Sequence, residues 1–546
     1  MGEAIKELLQ EHIHSIKSRN DLEAVKRLLC KKYGLASIPN ADILKEYSLW
    51  QKATGQSVDI LTKILRKRSI RTMSGIAPIA VLTKPYPCPG TCAYCPHEKE
   101  VPTSYLSNEP AVMRAIRCGY DPYRQVILRL RSLENNGHVP TKLEIIVIGG
   151  TWSYLPTRYK YWYILNCFRA ANDYNYFHKF PSQLDSAEKI DDKKLSAPYK
   201  QSLSLTALRK ELFKQQTKNE LARYSVIGLT LETRPDYIDR GELSQMRELG
   251  CTRVEIGVQA VDDEILRINK RGHGVKEIAE ATKLLKEYGF KVTYHLMPAL
   301  PGATPAKDLS LFKKLFSDER FQPDQIKFYP TVVTAGSLLY RWYRQGKYKP
   351  YSDKVLRDLI IKCKAVVPTY VRIIRLIRDI PGESIIAGNK ITNLRQIMKD
   401  LGTKCNCIRC REAQDKPLAN NYITRTISYP ASGGTEYFIS ADSQDTKTLY
   451  GFCRLRIDKN SPVAPAIIRE LHVYGELVSV GSIKKVQHSG LGQKLLAQAE
   501  ELAIKNNCAN ISVISGVGVR GYYRKFAYRL KNGYMVKDLK QPLKVK

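Results

Sequence analysis

The chain has no run of about 18 apolar residues anywhere, so no membrane-spanning helix is expected. Its opening stretch, MGEAIKELLQEHIHSIKSRN, lacks an apolar centre and carries acids early, unlike a secretory leader. Myristoylation of Gly2 needs Ser or Thr at a position that here holds Lys6. No internal repeat of about 20–50 residues is present, which argues against a solenoid or propeller. Acids are also scarce: Asp and Glu number 53 against 88 Lys and Arg, a formal charge of +35. An excess of that size fits a polyanionic partner, nucleic acid above all, although lysine-rich solvated faces alone produce the same composition. The expected compartment is the cytoplasm.

What is present is length, at 546 residues too long for a single core, so three or four domains are expected. Six of the 13 cysteines fall in two short clusters, Cys88, Cys92 and Cys95, then Cys405, Cys407 and Cys410. Clustering of this kind favours metal sites over a disulfide framework.

Residues 1–75 read as a helical segment, with Ile5, Leu8, Leu9 and Ile13 at helical spacing. It ends in "TKILRKRSIRT", where Lys63, Arg66, Lys67, Arg68 and Arg71 meet no acid. That stretch is either a solvated face or a grip on phosphates. Residues 76–345 change grammar. Apolar runs ("IAPIAVLTKP", "LEIIVIGG", "SVIGLTLET", "RVEIGVQA", "KVTYHLMPAL", "QIKFYPT") alternate with helical stretches such as "GVKEIAEATKLLKEYGF". The pattern predicts six strand–helix units, an open rather than closed parallel barrel. In such barrels chemistry sits at the C-terminal ends of the strands, where Gly149, Gly150, Glu232, Gln259 and His295 fall. Residues 181–218 interrupt the pattern and read as a polar surface insertion. Residues 346–417 read as a connector holding the second cysteine cluster, and residues 418–546 as a further strand-rich domain with one strong helix, "GLGQKLLAQAEELAIKNN".

The spacing C-x3-C-x2-C of Cys88, Cys92 and Cys95 follows the first predicted strand. Three thiolates hold three irons of a 4Fe-4S cluster and leave the fourth iron for an outside ligand, the arrangement used with S-adenosylmethionine in radical enzymes. A zinc knuckle with a distant fourth ligand, or chance, are the other readings. Gly149 and Gly150 end a strand where backbone can approach a ligand, or simply where a turn is needed. Near the C-terminus, Gln487-x-x-Gly490-x-Gly492 opens a helix after an apolar strand. That is an anion site at a helix N-terminus, spaced like the pyrophosphate loop of acetyltransferases that bind acetyl-CoA. Tyr522 and Tyr523 follow near the expected thioester position, although a tyrosine pair also arises from packing alone. Cys405, Cys407 and Cys410 suit a structural zinc, with Cys363 as a candidate fourth ligand; unligated thiols or a second iron–sulfur cluster are alternatives.

Together these motifs resemble the catalytic subunit of Elongator. The likeness runs from about residue 76 to 540 through "YLSNEPAVMRAI", "GLTLETRPDY", "TRVEIGVQAVDDEIL", "HLMPALPG", "RELHVYG" and "VISGVGVRGYYRKFAY". It implies a partial TIM-like (βα)6 radical-SAM barrel plus a GNAT acetyltransferase domain, an α/β architecture. It also implies conversion of a tRNA wobble uridine to 5-carboxymethyluridine from acetyl-CoA and S-adenosylmethionine. Carried over by position, Cys88, Cys92 and Cys95 would bind the 4Fe-4S cluster, with Gly149, Gly150 and Glu232 among the cofactor contacts. Lys142 would contact acetyl-CoA. Glu470, Leu471, His472 and Val473 would line its cleft with Gln487, Gly490, Leu491, Gly492 and Gln493, and Tyr523 beside Tyr522 would stand at the acetyl group. The resemblance places a zinc ion (Zn2+) between the two catalytic domains. Lys142 and Lys327 are candidate polarising groups, a surface ion pair or a phosphate contact being their other uses. Besides the N-terminal basic stretch, Arg341, Arg344 and Lys347 in "RWYRQGKYK" are candidate tRNA contacts. The C-x3-C gap and the short segment between "HVYG" and "VQHSG" fit a bacterial or archaeal form that works without other Elongator subunits, as a single chain or a homodimer. A protein lysine acetyltransferase with a structural barrel is the rival reading. The charge opposes it, since a +35 enzyme repels basic tails. A tRNA-binding scaffold with dead sites is opposed by the intact motifs.

Overall fold

The helical expectation for the N-terminal segment holds in the described part. Helices Gly2–Glu7, Arg19–Tyr33, Asn40–Thr54 and Asp59–Leu65 pack around a core of their own that includes Leu8, Leu22, Ile43, Tyr47 and Leu61. The computed structural model describes residues 1–65, 76–179, 203–391, 393–414, 416–419, 421–474 and 490–539. Arg66, Lys67, Arg68, Arg71 and Gln487 therefore lie outside the described residues. No described helix is long and apolar enough to cross a membrane.

The six predicted strands are all present: β1 (Ile76–Leu82), β2 (Lys142–Ile148), β3 (Ser225–Thr233), β4 (Arg253–Gln259), β5 (Lys291–Leu296) and β6 (Gln325–Phe328). Then come β7 (Val333–Thr334), β8 (Arg372–Arg375) and β9 (Ile385–Ala387), of which β7 and β9 pair with each other. The main sheet is parallel throughout, in the order β1-β2-β3-β4-β5-β6-β8. Alternation along the strands decides its two faces. Ala77, Ile79 and Val81, with Leu143, Ile145 and Val147, are buried in the apolar core. The intervening Pro78, Ala80, Glu144 and Ile146 face a cavity shared with residues of every other strand of the sheet, so the sheet curls into a partial barrel.

Two expectations are corrected here. The barrel has a seventh strand, β8, which lies inside the segment read as a connector, so a barrel boundary at 345 cuts it off. Its four residues, RIIR, set two isoleucines between two arginines and are too short and too charged to stand out as a strand. The second correction concerns the end of the segment 181–218, of which residues 181–202 lie outside the described residues. Leu205–Asn219 form a regular helix, capped by Ser204 and burying Leu208, Leu212, Gln216 and Asn219 at helical spacing. Its lysine-rich outer face hides that pattern in the composition.

The second domain is a seven-stranded sheet of β10 (Ile423–Ala431), β11 (Gly434–Asp442), β12 (Leu449–Ile457), β13 (Ala466–Val473), β14 (Asn510–Val513), β15 (Arg529–Lys531) and β16 (Tyr534–Asp538). The order is β10-β11-β12-β13-β14-β16-β15, and only β13 and β14 run parallel. A parallel pair needs a crossover, and the helix Leu491–Lys505 supplies it. Pairing of β13 with β14 stops at Ile468–Val513, while β13 continues to Val473. The two strands part there, opening a cleft.

This cleft faces the N-terminal end of the barrel. The turn after β14 lies so close to β3 that a Cβ on Gly516 would stand 1.9 Å from the Ile227 carbonyl oxygen, and only glycine fits. A fully buried charge cluster locks the same interface. Arg469 of β13 grips Asp324 with both terminal nitrogens and reaches Glu436 at 2.8 Å. Arg454 lies 3.8 Å and Lys286 3.9 Å from Asp324. A bulge between β12 and β13, which leaves Arg469 without a partner across the pair, aims its side chain at the barrel. The apolar core is continuous across both sheets.

Candidate active site

One cavity of about 1400 Å³ runs through the barrel. Cys88, Cys92 and Cys95 stand at one end, at the mouth formed by the C-terminal ends of the strands; Glu470, Leu471, His472, Tyr522 and Tyr523 close the other.

At the cysteine end, the loop after β1 is pinned from two sides. The Ala93 amide donates to the Asn269 carbonyl at 3.0 Å, and the Leu339 amide donates to the Ala93 carbonyl at 2.7 Å. Two buried guanidiniums approach Cys92, Arg271 at 3.4 Å and Arg234 at 3.9 Å from its sulfur. A hydrogen bond from Cys95, helped by Arg271 and Arg234 against the effect of burial, brings the Cys92 thiol down to about 4. Three thiols on a cavity wall with cationic groups at hand fit an anionic iron–sulfur cluster. Gly149 and Gly150 end β2 at positive φ (130° and 103°), and Gly150 lines the cavity beside the cysteines.

The middle of the cavity carries a chain of charged groups. Tyr105 donates to Glu232 at 3.0 Å; Glu232 lies 3.5 Å from His295 Nδ1, and His295 Nε2 lies 2.8 Å from Glu255. Lys327 forms a close ion pair with Glu255. Burial alone would raise the Glu255 carboxyl, but Lys327, His295 and Arg253 overcome it and hold it well below the ordinary range. Lys327 thus faces the cavity already tied to a carboxylate.

At the far end, Glu470 accepts from Arg454 at 3.1 Å and pairs with Lys291 at 3.6 Å. The His472 Nε2 is buried without a hydrogen-bond partner among the described residues. Burial, followed by Arg372, Lys291 and Lys142 acting against Glu470, takes this imidazole down to about 3, so it is neutral. Val473 points the other way, to the helix N-terminus, where Gly490 caps at φ 78° and Leu491 is buried. A Cβ on Gly492 would stand 2.8 Å from the Tyr522 hydroxyl, while Gln493 is exposed. The rings of Tyr522 and Tyr523 lie 5.3 Å apart, and burial pushes both hydroxyls up. Lys142, at the start of β2, is half-buried, and burial lowers its ammonium.

The second cluster draws Cys405, Cys407 and Cys410 together, their sulfurs within 4.8 Å of one another, a spacing that suits a single tetrahedral ion. Cys363 does not join them: it is buried in the apolar core on helix Asp353–Ala365. The short helix after Cys407 bridges the domains, as Arg411 pairs with Asp442 at 2.6 Å and also donates to the Thr369 carbonyl. Among the basic residues, Lys63, Arg341, Arg344 and Lys347 are exposed. Arg341 and Arg344 lie on the helix Leu338–Arg344, whose Leu339 amide holds the cysteine loop, and Lys347 follows it; none of the three lines the cavity itself. Sequence reasoning passed over Arg271, Glu255 and Tyr105. The signal for Arg271 is its place in "NKRGHG", a tight turn after a short helix at the same strand ends that carry the cysteines.

The chain matches the Radical SAM superfamily over residues 86–314 and the Radical_SAM C-terminal domain over residues 323–401. It is 43% identical over 492 residues to the tRNA uridine(34) acetyltransferase of Dehalococcoides mccartyi, covering 87% of this chain and all of that one. It is 37% identical over 572 residues to Elongator complex protein 3 of Homo sapiens, covering 99% and 97%. Among solved structures, the archaeal Methanocaldococcus infernus Elp3 with an N-terminal deletion superposes with a TM-score of 0.70 at 34% identity, over 86% of this chain and 100% of that one.

Proposed function

The chain belongs to the family of tRNA uridine(34) acetyltransferases and Elongator complex protein 3, and on that premise we propose that it converts a wobble uridine of tRNA to 5-carboxymethyluridine. The observation that carries the reading is the single cavity joining Cys88, Cys92 and Cys95 to Glu470, His472 and Tyr523. Radical chemistry on an acetyl group requires both ends to meet in one space, because a carbon radical acts at contact distance.

In this reading Cys88, Cys92 and Cys95 hold a 4Fe-4S cluster, with Gly149, Gly150 and Glu232 at the bound S-adenosylmethionine. When bound, that pair supplies a 5′-deoxyadenosyl radical able to take hydrogen from the acetyl methyl group. The second domain presents the thioester: the N-terminus of Leu491–Lys505 with Gly490 receives the pyrophosphate, and β13 beyond Ile468 receives the acetyl arm. Neutral His472 and the Tyr522–Tyr523 pair stand where the thioester carbonyl enters the barrel. Lys142 and Lys327 supply positive charge from the strands around them. Arg341, Arg344 and Lys347, on and just after the helix that pins the cysteine loop, hold tRNA phosphates while an extruded base enters the cavity. Zinc at Cys405, Cys407 and Cys410 fixes the junction of the two domains.

The test is acetyl-CoA hydrolysis with and without tRNA, beside Tyr523→Phe. Stimulation by tRNA that the variant loses by at least about tenfold supports the reading. Acetylation of a lysine peptide without tRNA stimulation would replace it with the protein acetyltransferase.

A further inference from the structure

Arg271 poses a problem that its protein neighbours do not solve. It is 6% exposed, and no carboxylate pairs with it among the described residues. A buried guanidinium without an anion is costly, so an anion is expected against it. Its Nη2 donates to the Gly257 carbonyl at 2.5 Å, its Nη1 to Cys92 Sγ at 3.4 Å, and its Nε has no partner among the described residues. Arg234 differs. It too reaches Cys92, but Asp236 neutralises it through a fork at 2.9 and 2.8 Å, and it also holds the Arg271 carbonyl at 2.8 Å.

Two glycines make room for this pair. A Cβ on Gly257 would lie 2.5 Å from Arg271 Nη2, and a Cβ on Gly90 would lie 2.2 Å from Arg234 Nη1. Neither glycine has positive φ, so what each position requires is space for a guanidinium. The result is lopsided. Cys92 receives both cations, whereas the recorded hydrogen bond at Cys88 Sγ comes from the Gly90 amide at 3.5 Å.

We propose that Arg271, assisted by Arg234, sets the reduction potential of the cluster held by Cys88, Cys92 and Cys95, raising it through the N–H···S contact at Cys92. The inference rests on the cluster reading above. A reduced cluster carries one more negative charge than the oxidised one, so a buried cation in contact with a ligand sulfur stabilises the reduced form more. Arg271 is thus a positioning and tuning residue for the electron that the reaction needs. The thiolate it faces belongs to the cluster's innermost, most buried cysteine loop position, away from water that would screen it.

The experiment is an EPR-monitored potentiometric titration of the full chain reconstituted with iron and sulfide, with iron counted in every sample. Arg271→Met is expected to lower the midpoint, so that at the wild-type midpoint the reduced-to-oxidised ratio falls about tenfold, or about 59 mV for one electron. Arg271→Lys keeps the charge and shifts less. Gly257→Ala keeps Arg271 but displaces its guanidinium, and shifts in the same direction. Arg234→Met shifts least, because Asp236 already balances that charge. Should Arg271→Met fail to hold iron, Gly257→Ala and Arg234→Met decide the question. An unchanged or higher midpoint at full iron content overturns the proposal. A wild-type chain that assembles no 4Fe-4S cluster overturns the reading beneath it as well, and the iron count separates the two failures.

Discussion

Asp324→Asn is the sharpest perturbation of the junction on which the shared cavity depends. Asp324 is fully buried and takes both terminal nitrogens of Arg469, with Arg454 at 3.8 Å and Lys286 at 3.9 Å and the Val292 amide donating at 2.8 Å. Burial pushes its carboxyl up, but Arg469, Lys286 and Arg454 outweigh that and keep it ionised well below the ordinary range. Asparagine matches the shape and removes the charge. Arg469 and Lys286 then share Glu436 as their remaining buried carboxylate, and the Asn amide group faces a guanidinium. Removing one partner of a buried pair costs about 3–5 kcal/mol. At roughly 2 °C per kcal/mol for a cooperative unit of about 200 residues, thermal unfolding at a fixed scan rate falls by at least about 6 °C. Adding Arg469→Met removes the orphaned cation, so the double variant recovers part of the loss, a non-additivity of about 1–3 kcal/mol. A change within about 1 °C for Asp324→Asn, or strict additivity in the double variant, refutes the claim that this cluster locks the domains.

Lys286 gives the junction a pH dependence. Burial, against Glu436 and Asp324, lowers its ammonium to about 8, below the unfolded value near 10.4. A lysine with a depressed folded value costs stability below both values, and that cost disappears as pH rises between them. Wild type therefore gains stability between about pH 8 and 10.4 relative to Lys286→Met, and parallel melting curves across that window would contradict this. Gly516→Ala forces a Cβ to 1.9 Å from the Ile227 carbonyl oxygen and pushes the turn from β3, lowering stability by about 1–3 kcal/mol; a neutral result would mean that this close approach does not hold the two domains together. Cys407→Ser, which removes one of three convergent thiols, is expected to abolish bound zinc measured by elemental analysis, whereas Cys363→Ser retains it; equal loss in both would restore Cys363 as a ligand.

Much of this was legible in the residues. "SVIGLTLET", rich in β-branched residues, and "LYGFCRLRI", rich in apolar and aromatic ones, are long enough to announce themselves as strands, and β3 and β12 coincide with them. The cysteine and glycine motifs are local in sequence, so their chemistry is readable there. β8 escaped because two isoleucines between two arginines look like part of a basic patch. The helix Leu205–Asn219 escaped because its charged outer face dominates the composition. Arg271 escaped because its importance comes from Cys92, 179 residues earlier in the chain. The cavity that joins the cleft of the second domain to the cysteines was not readable at all. It exists because β13 parts from β14 where the barrel's N-terminal mouth presses against it, and contacts such as Arg372 with Tyr474, 2.9 Å apart, are made only in the folded chain.

If both chemistries share one space, hydrogen passes directly from the acetyl methyl group to the deoxyadenosyl radical. The most direct measurement supplies acetyl-CoA deuterated in the acetyl methyl group to the reduced, iron-loaded protein with S-adenosylmethionine and tRNA, and weighs the 5′-deoxyadenosine formed. Deuterium transferred to that product, dependent on tRNA, is the predicted result. Cleavage of S-adenosylmethionine with no deuterium in 5′-deoxyadenosine would mean that the cavity does not bring the acetyl group to the radical.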